Sequence, residues 1–304
     1  MRVIVAGGTG FIGSRLVEHL LENGHEPVVL SRNKSKVEKR FGDRVVPAEW
    51  DSESSRGWIR HIEEFEGKVG IVNLVGESLD GRWTDEKKRR ILNSRVRSGR
   101  AVSEACERAV KKPEVLVQGS AVGWYGPRGD EQVDESSEPG EGFLAEVCRK
   151  WEASTEAVEK LKTRRVIART GIVLGEGGIL KKFESSFKLY LGGPLGSGKQ
   201  WISWIHILDQ VRAITFLLES ETASGPFNLT APNPVTMREF TDALGRAMGR
   251  PSFFRVPSTL LRLGLGEMAE EMILHGQKVY PAKLLEKNFD FMYDSIDGAL
   301  SQLE

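Results

Sequence analysis

The run Gly7-Gly8-Thr9-Gly10-Phe11-Ile12-Gly13 constrains this chain more than any other segment. It follows Arg2-Val3-Ile4-Val5-Ala6, a short apolar stretch that predicts a buried strand. After it, Phe11, Ile12, Leu16, Leu20 and Leu21 recur at helical spacing as far as Asn23-Gly24, a C-cap signal. Glu26-Pro27-Val28-Val29-Leu30 then predicts a second strand. The glycines satisfy two templates. Gly8, Gly10 and Gly13 fit G-x-G-x-x-G, and Gly7, Gly10 and Gly13 fit G-x-x-G-x-x-G. Either way the demands are the same: a tight strand-to-helix turn, a backbone close enough for a pyrophosphate to approach, and a helix packed against its strand. The helix N-terminus offers free N–H groups to the anion. A glycine pattern alone says little, but one set between a strand, an amphipathic helix and a second strand predicts a dinucleotide-binding βαβ unit.

The identity of the dinucleotide is read at the end of the second strand. A site for NAD(H) places Asp or Glu there, accepting from the ribose hydroxyls. This chain has Ser31-Arg32, with Lys34 just beyond. A carboxylate would repel a 2′-phosphate, whereas a guanidinium and a hydroxyl can bind it. A charge-assisted hydrogen bond contributes ~1.5–3 kcal/mol, a preference of about 10- to 100-fold. The expected cofactor is NADP(H).

The alternation continues. Val45-Val46 predicts a weak strand, Val69 to Leu74 a clear one, and Glu114 to Gln118 and Val166 to Arg169 two more. Helical patterns run over about Asp85 to Val110 and Phe143 to Leu161. The fold class is therefore α/β, a doubly wound parallel sheet covered on both faces, with a smaller C-terminal lobe. The Rossmann domain is expected over 1–174, with the helix 203–222 returning to it, and the substrate-side lobe over 175–304.

Composition narrows the class of protein. Lys+Arg and Asp+Glu both number 43, so no global charge draws the chain to nucleic acid or membrane. Seven basic residues crowd the helix after Thr84, but their helical angles spread around the axis and no aromatic residues interleave them. Cys106 and Cys148 show no metal-ligand spacing and suit a reducing compartment. No apolar run approaches the ~20 residues of a membrane span. With a strand predicted from residue 2, no leader sequence is expected, and a cytoplasmic protein is expected. The expected partner is a small-molecule substrate of unknown identity, with no nucleic acid, membrane or metal; the chain is expected as a monomer or homodimer.

These residues resemble a known family. The glycine run, Asn73-Leu74-Val75-Gly76-Glu77 and Ser120-Ala121-Val122-Gly123-Trp124-Tyr125-Gly126 resemble the extended short-chain dehydrogenase/reductases. Arg169 to Gly175 and Trp204-Ile205-His206-Ile207-Leu208-Asp209 extend the likeness. Gly192 to Gly198 and Leu274 to Pro281 narrow it to the atypical epimerase family group that includes human short-chain dehydrogenase/reductase family 39U member 1. The resemblance covers nearly the whole chain and makes 250–300 a small family-specific helical region. It implies that Gly7, Thr9, Gly10, Phe11, Ile12 and Gly13 surround the pyrophosphate and that Ser31 and Arg32 hold the 2′-phosphate. It implies too that Leu74, Val75 and Gly76 flank the adenine-ribose side, and that Arg95 and Arg169 face the cofactor.

It also exposes a departure. Active members of the wider superfamily use a Tyr-x-x-x-Lys pair plus a Ser. Aligning Glu152 with the Glu of Tyr-x-x-x-Lys-x-x-x-Glu puts Leu144 at the Tyr position and Cys148 at the Lys position. Counting back from Tyr125 puts Ala121 at the Ser position, with Ser120 beside it. Four residues are candidate substitutes, and each also has a plainer reading. Tyr125 reads as a packing tyrosine, His206 as a core-edge histidine, Glu77 as a loop contact and Cys148 as a small buried hydrophobe. No catalytic residue is assigned. Two functions remain open: an NADP(H)-dependent oxidoreductase or nucleotide-sugar epimerase-like enzyme with a degenerate triad, or a non-catalytic NADP(H)-dependent binding or regulatory protein.

Overall fold

A computed structural model describes residues 1–301 of the chain. Seven strands form one parallel sheet: β1 (Arg2–Ala6), β2 (Glu26–Ser31), β3 (Val46–Glu49), β4 (Val69–Asn73), β5 (Val115–Ala121), β6 (Arg164–Thr170) and β7 (Gly225–Leu229). Their order is β7-β6-β5-β4-β1-β2-β3. The chain therefore reverses its direction of winding between β1 and β4, which opens a crevice at the carboxyl ends of those strands.

Period-two alternation sorts the strands between two helical layers. In β1, Val3 and Val5 join the core under α1 (Phe11–Glu22) and the returning helix, while Ile4 and Ala6 join the core on the opposite face. All four are fully buried. Burying a Val or Ile contributes ~1.5–3 kcal/mol relative to exposure, so the first strand alone fixes the register of its neighbours. The second core packs beneath α3 (Asp85–Arg108), which follows the shorter α2 (Lys34–Phe41). Thr84 caps α3 by accepting from the Lys87 amide at 3.2 Å. α3 lies against α4 (Phe143–Ala153) with Gly99 next to Ser154, where an added Cβ would sit 1.8 Å from the Ser154 hydroxyl.

The helix expected to run from Phe143 to Leu161 stops at Ala153, and a 3-10 turn covers Glu156–Lys160. The Ser154 hydroxyl donates to the Trp151 carbonyl at 2.5 Å and the Thr155 hydroxyl to that of Glu152. Side-chain hydroxyls thus take up carbonyls that a longer helix would use. The third strand runs Val46–Glu49, reaching further than Val45-Val46 suggested.

The lobe is built on α5 (Gly178–Lys188) and α7 (Met237–Met248), around a core that includes Phe183, Phe187, Trp204 and Phe240. Between them α6 (Ile207–Glu219) packs in the same core as β1 and β7. The expected cut at residue 174 needs one correction. Gly225–Leu229 falls within the stretch expected as lobe, yet it pairs with β6 and completes the sheet. Phe227 and Leu229 are buried in the same core as α6, which is the physical reason the strand belongs there. Among the described residues no helix is long and apolar enough to cross a membrane.

Candidate functional site: a cavity at the strand-order reversal

The glycine turn closes on itself at the end of β1. Gly7 adopts φ +85°, and a Cβ there would meet the Leu74 carbonyl at 3.0–3.1 Å. The Gly10 amide donates to the Gly7 carbonyl at 3.0 Å. A Cβ on Gly13 would lie 2.2 Å from that same oxygen, so α1 starts directly on the turn. Gly7, with its positive φ, and Gly13, with no room for a Cβ beside the Gly7 carbonyl, are the glycines the turn itself demands, which favours the G-x-x-G-x-x-G reading. Gly8 is needed for another reason: its Cβ would fall 2.9 Å from Val29 Cγ1. Gly10, the N-cap of α1, supplies no side-chain cap, and the first turn of α1 holds no acidic residue. Its leading N–H groups and positive dipole end are left for an outside anion.

A cavity of about 740 Å³ opens over this turn. Gly7, Thr9, Gly10, Ser31, Arg32, Leu74, Val75 and Gly76 line it, so most of the expected cofactor residues converge on one space. Phe11, Ile12, Gly13, Arg95 and Arg169 lie outside that lining. Phe11 packs on the loop from Gly175 to Gly178, whose added Cβ atoms would meet its ring at 3.1–3.6 Å. Ile12 joins the core and Gly13 makes the turn-to-helix contact.

The two arginines have different tasks. Arg95 donates through Nη1 to the carbonyls of Glu77 at 3.1 Å and Ile91 at 2.9 Å. Its guanidinium carbon lies 2.9 Å from where a Cβ on Gly76 would be, and burial lowers its pKa. It props the loop that walls the cavity. Arg169 is buried in a different network. It pairs with Glu152 at 2.9 and 3.0 Å, donates to the Tyr125 hydroxyl at 3.2 Å and stacks on Trp124 at 3.5 Å.

Sequence reading missed other lining residues: Asn33 and Lys36 at α2, Trp50 to Glu53 after β3, and Arg89, Asn93 and Arg97 along α3. Asn33 caps α2, accepting from the Lys36 amide at 3.2 Å. The Ser31 hydroxyl donates to the Asn33 carbonyl and accepts from its amide, which fixes the turn that presents Arg32. The Asp51 carboxylate accepts from the Glu53 and Ser54 amides at 2.8 Å each, and these bonds hold its pKa below the usual range. The signal lay in the pairing: β3 runs parallel to β2, and the Trp50 amide donates to the Ser31 carbonyl at 2.9 Å. The ends of both strands must therefore reach the same cavity.

Each of the four candidate proton-handling residues is paired or buried, and of them only Glu77 lines the cavity. The Tyr125 hydroxyl donates to Asn228 Oδ1 at 2.7 Å, and burial pushes its pKa up to about 12. Burial likewise pushes the Cys148 thiol up to about 11. His206 caps α6 by accepting from the Leu208 amide at 3.3 Å and stacks on Tyr293, and burial lowers its pKa. Glu77 accepts from Lys87 at 2.8 Å, a bond that lowers its pKa. Leu144 and Cys148 come together beside the loop after β5: a Cβ on Gly123 would lie 3.3 Å from Leu144 Cβ and 3.9 Å from Cys148 Sγ.

A seven-stranded parallel sheet with this winding order, a glycine turn at its reversal and a cavity above the turn define a doubly wound, dinucleotide-binding type of α/β protein. The chain belongs to the NAD dependent epimerase/dehydratase family, whose sequence profile matches residues 3–230, and within it to the epimerase family group of extended short-chain dehydrogenase/reductases. Residues 256–303 match a second profile, described as a domain of unknown function (DUF1731). The chain is 37% identical over 306 residues to epimerase family protein YfhF of Bacillus subtilis, covering 100% of this chain and 98% of that one. It is 41% identical over 303 residues to the chloroplastic epimerase family protein SDR39U1 homolog of Arabidopsis thaliana, covering 99% and 86%. The crystal structure of human epimerase family protein SDR39U1 (isoform2) with NADPH superimposes with TM-score 0.88 at 32% identity, covering 100% of this chain and 99% of that one.

Proposed function

We propose that this chain binds NADP(H) in the cavity at the β1/β4 reversal, with the pyrophosphate on the α1 N-terminus and the 2′-phosphate at Ser31-Arg32. One observation carries the reading. The end of β2 presents a hydroxyl-stabilised turn and a guanidinium to the cavity, and Ser31, Arg32 and Asn33 there include no carboxylate. The human relative with NADPH supports it. Thermal stabilisation by NADPH and NADH at equal concentration tests it. A ligand at 100 times its dissociation constant adds ~2.7 kcal/mol, so the preferred cofactor declares itself as the larger shift.

We read the chain as an oxidoreductase or nucleotide-sugar epimerase-like protein, with Leu144, Cys148 and Ala121 as a degenerate form of the Tyr–Lys–Ser constellation; membership of the epimerase/dehydratase family supports the epimerase-like part. Leu144 has no titratable group, and a thiol near pKa 11 stays protonated at neutral pH. Turnover would need a proton-handling group other than these. Screening NADPH oxidation and epimerisation against sugar nucleotides and small carbonyls tests for it.

The burial and pairing of Tyr125, Cys148, His206 and Glu77 favour a second reading, in which the chain is an NADP(H)-dependent binding or regulatory protein without turnover. Partner capture with and without NADPH tests that reading. Partners indifferent to the cofactor would remove it.

A further inference from the structure

The charged residues that line the cavity do not cancel evenly. Two of its arginines are already paired: Arg97 with Glu53 at 2.6 Å, and Arg90 with Glu86 at 2.5 Å. Of the carboxylates, Glu77 is taken by Lys87 at 2.8 Å, and Asp51 by two backbone amides. Among the described residues, Asp51 is then the one lining carboxylate without a cationic partner, against three lining cations without an anionic one. Arg32, Arg89 and the Lys36 ammonium have no ion pair or side-chain hydrogen bond among the described residues.

These three cations come from two walls. Arg32 and Lys36 stand on the turn and first helical turn after β2. Arg89 stands on α3, where Arg89, Asn93 and Arg97 recur at four-residue spacing and so face one way, toward the cavity they all line. The walls are within electrostatic reach of each other, since Arg32 helps to lower the pKa of Glu77, a loop residue paired with Lys87 of α3. A 2′-phosphate carries close to two negative charges and three acceptor oxygens, more than a single guanidinium can satisfy. Neutralisation from both sides would also fix the phosphate's position across the cleft.

We infer that Arg89 is a specificity-determining residue: it reaches from α3 to the cofactor's 2′-phosphate and completes a cationic cradle with Arg32 and Lys36. The inference rests on the NADP(H) reading and adds to it a residue that the Ser31-Arg32 pattern does not name. Arg89 is exposed, and its loss removes no intramolecular bond, so Arg89→Gln should fold as the parent does.

Calorimetric titration of the parent, Arg89→Gln and Arg89→Lys with NADPH and NADH separates the outcomes. The expected result is a NADPH affinity about tenfold weaker in Arg89→Gln, an unchanged NADH affinity and partial recovery in Arg89→Lys. A parent that prefers NADPH while Arg89→Gln keeps the whole preference overturns the inference and leaves the cofactor reading standing. Equal weakening for both cofactors also overturns it, because Arg89 would then act on the pyrophosphate or on general attraction. A parent that binds both cofactors equally removes the cofactor reading and the inference together.

Discussion

Arg169 and Glu152 meet through two hydrogen bonds, 2.9 and 3.0 Å, beneath the loop after β5. The arrangement is a fork-to-fork pairing of a buried guanidinium with a largely buried carboxylate, and Ser120 donates to the same carboxylate at 2.6 Å. Beyond it the chain of bonds continues through Tyr125 to Asn228, on the outermost strand of the sheet. It ties three neighbouring strands and α4 together.

Removing one partner of such a pair leaves an uncompensated buried charge, at a cost of about 3–5 kcal/mol. Arg169→Met should lower the thermal midpoint by roughly 5–8 °C. Because the Arg169 side chain ends on Glu152 and Tyr125, outside the cavity lining, NADPH affinity measured well below that midpoint should barely change. A folded Arg169→Met protein that had lost most of its NADPH affinity would place Arg169 on the cofactor instead.

The glycines differ in their tolerance. Gly13→Ala forces a Cβ to within 2.2 Å of the Gly7 carbonyl and should distort the turn, weakening NADPH binding as well as stability. Gly24 also has a positive φ, +73°, yet nothing lies within 4 Å of its Cβ position. Gly24→Ala should therefore cost only the ~1–2 kcal/mol of the left-handed conformation and leave NADPH affinity intact. Differential scanning and titration of both variants check this. Equal effects on binding would mean that the turn is not the anion site.

His206 makes stability depend on pH. Burial lowers its folded pKa below the unfolded value of 6.5. The unfolded chain then binds the proton more readily, so stability is complete above pH 6.5 and falls as pH drops from there toward the folded pKa. Asn can replace the ring as N-cap acceptor without titrating. His206→Asn should flatten part of the acid-side slope in denaturant melts between pH 7 and pH 5. An unchanged slope would mean that other groups, His61 and His19 among them, carry all of it.

Both cysteines are buried and free, with burial pushing Cys106 up to about 12 and Cys148 up to about 11. The thiolate is the reactive form, so neither should react with a thiol reagent at pH 8 in the native state, and both should react in denaturant. Rapid native labelling of Cys148 would show an open, ionisable thiol and revive it as a chemical participant.

The glycine turn and the Ser31-Arg32 corner were legible in the sequence because their geometry is local: adjacent residues set both the turn and the strand end. Arg169 was not, because what decides its role is Glu152, 17 residues away, and Tyr125, 44 residues away. The same holds for β7. Phe227-Asn228-Leu229 reads as an isolated short strand until pairing with Ala168 to Thr170 puts it in the sheet. Arg89, Asn93 and Arg97 looked like part of a solvated basic helix, since only the fold brings that face of α3 to the cavity.

The cofactor reading meets its most direct test in isothermal titration of the parent protein and Arg32→Ala with NADPH and with NADH. NADP(H) specificity at Ser31-Arg32 predicts that the parent binds NADPH about 10- to 100-fold more tightly than NADH, and that Arg32→Ala removes most of that difference by weakening NADPH alone. Equal affinities in the parent, or an Arg32→Ala variant with the full preference retained, would contradict it.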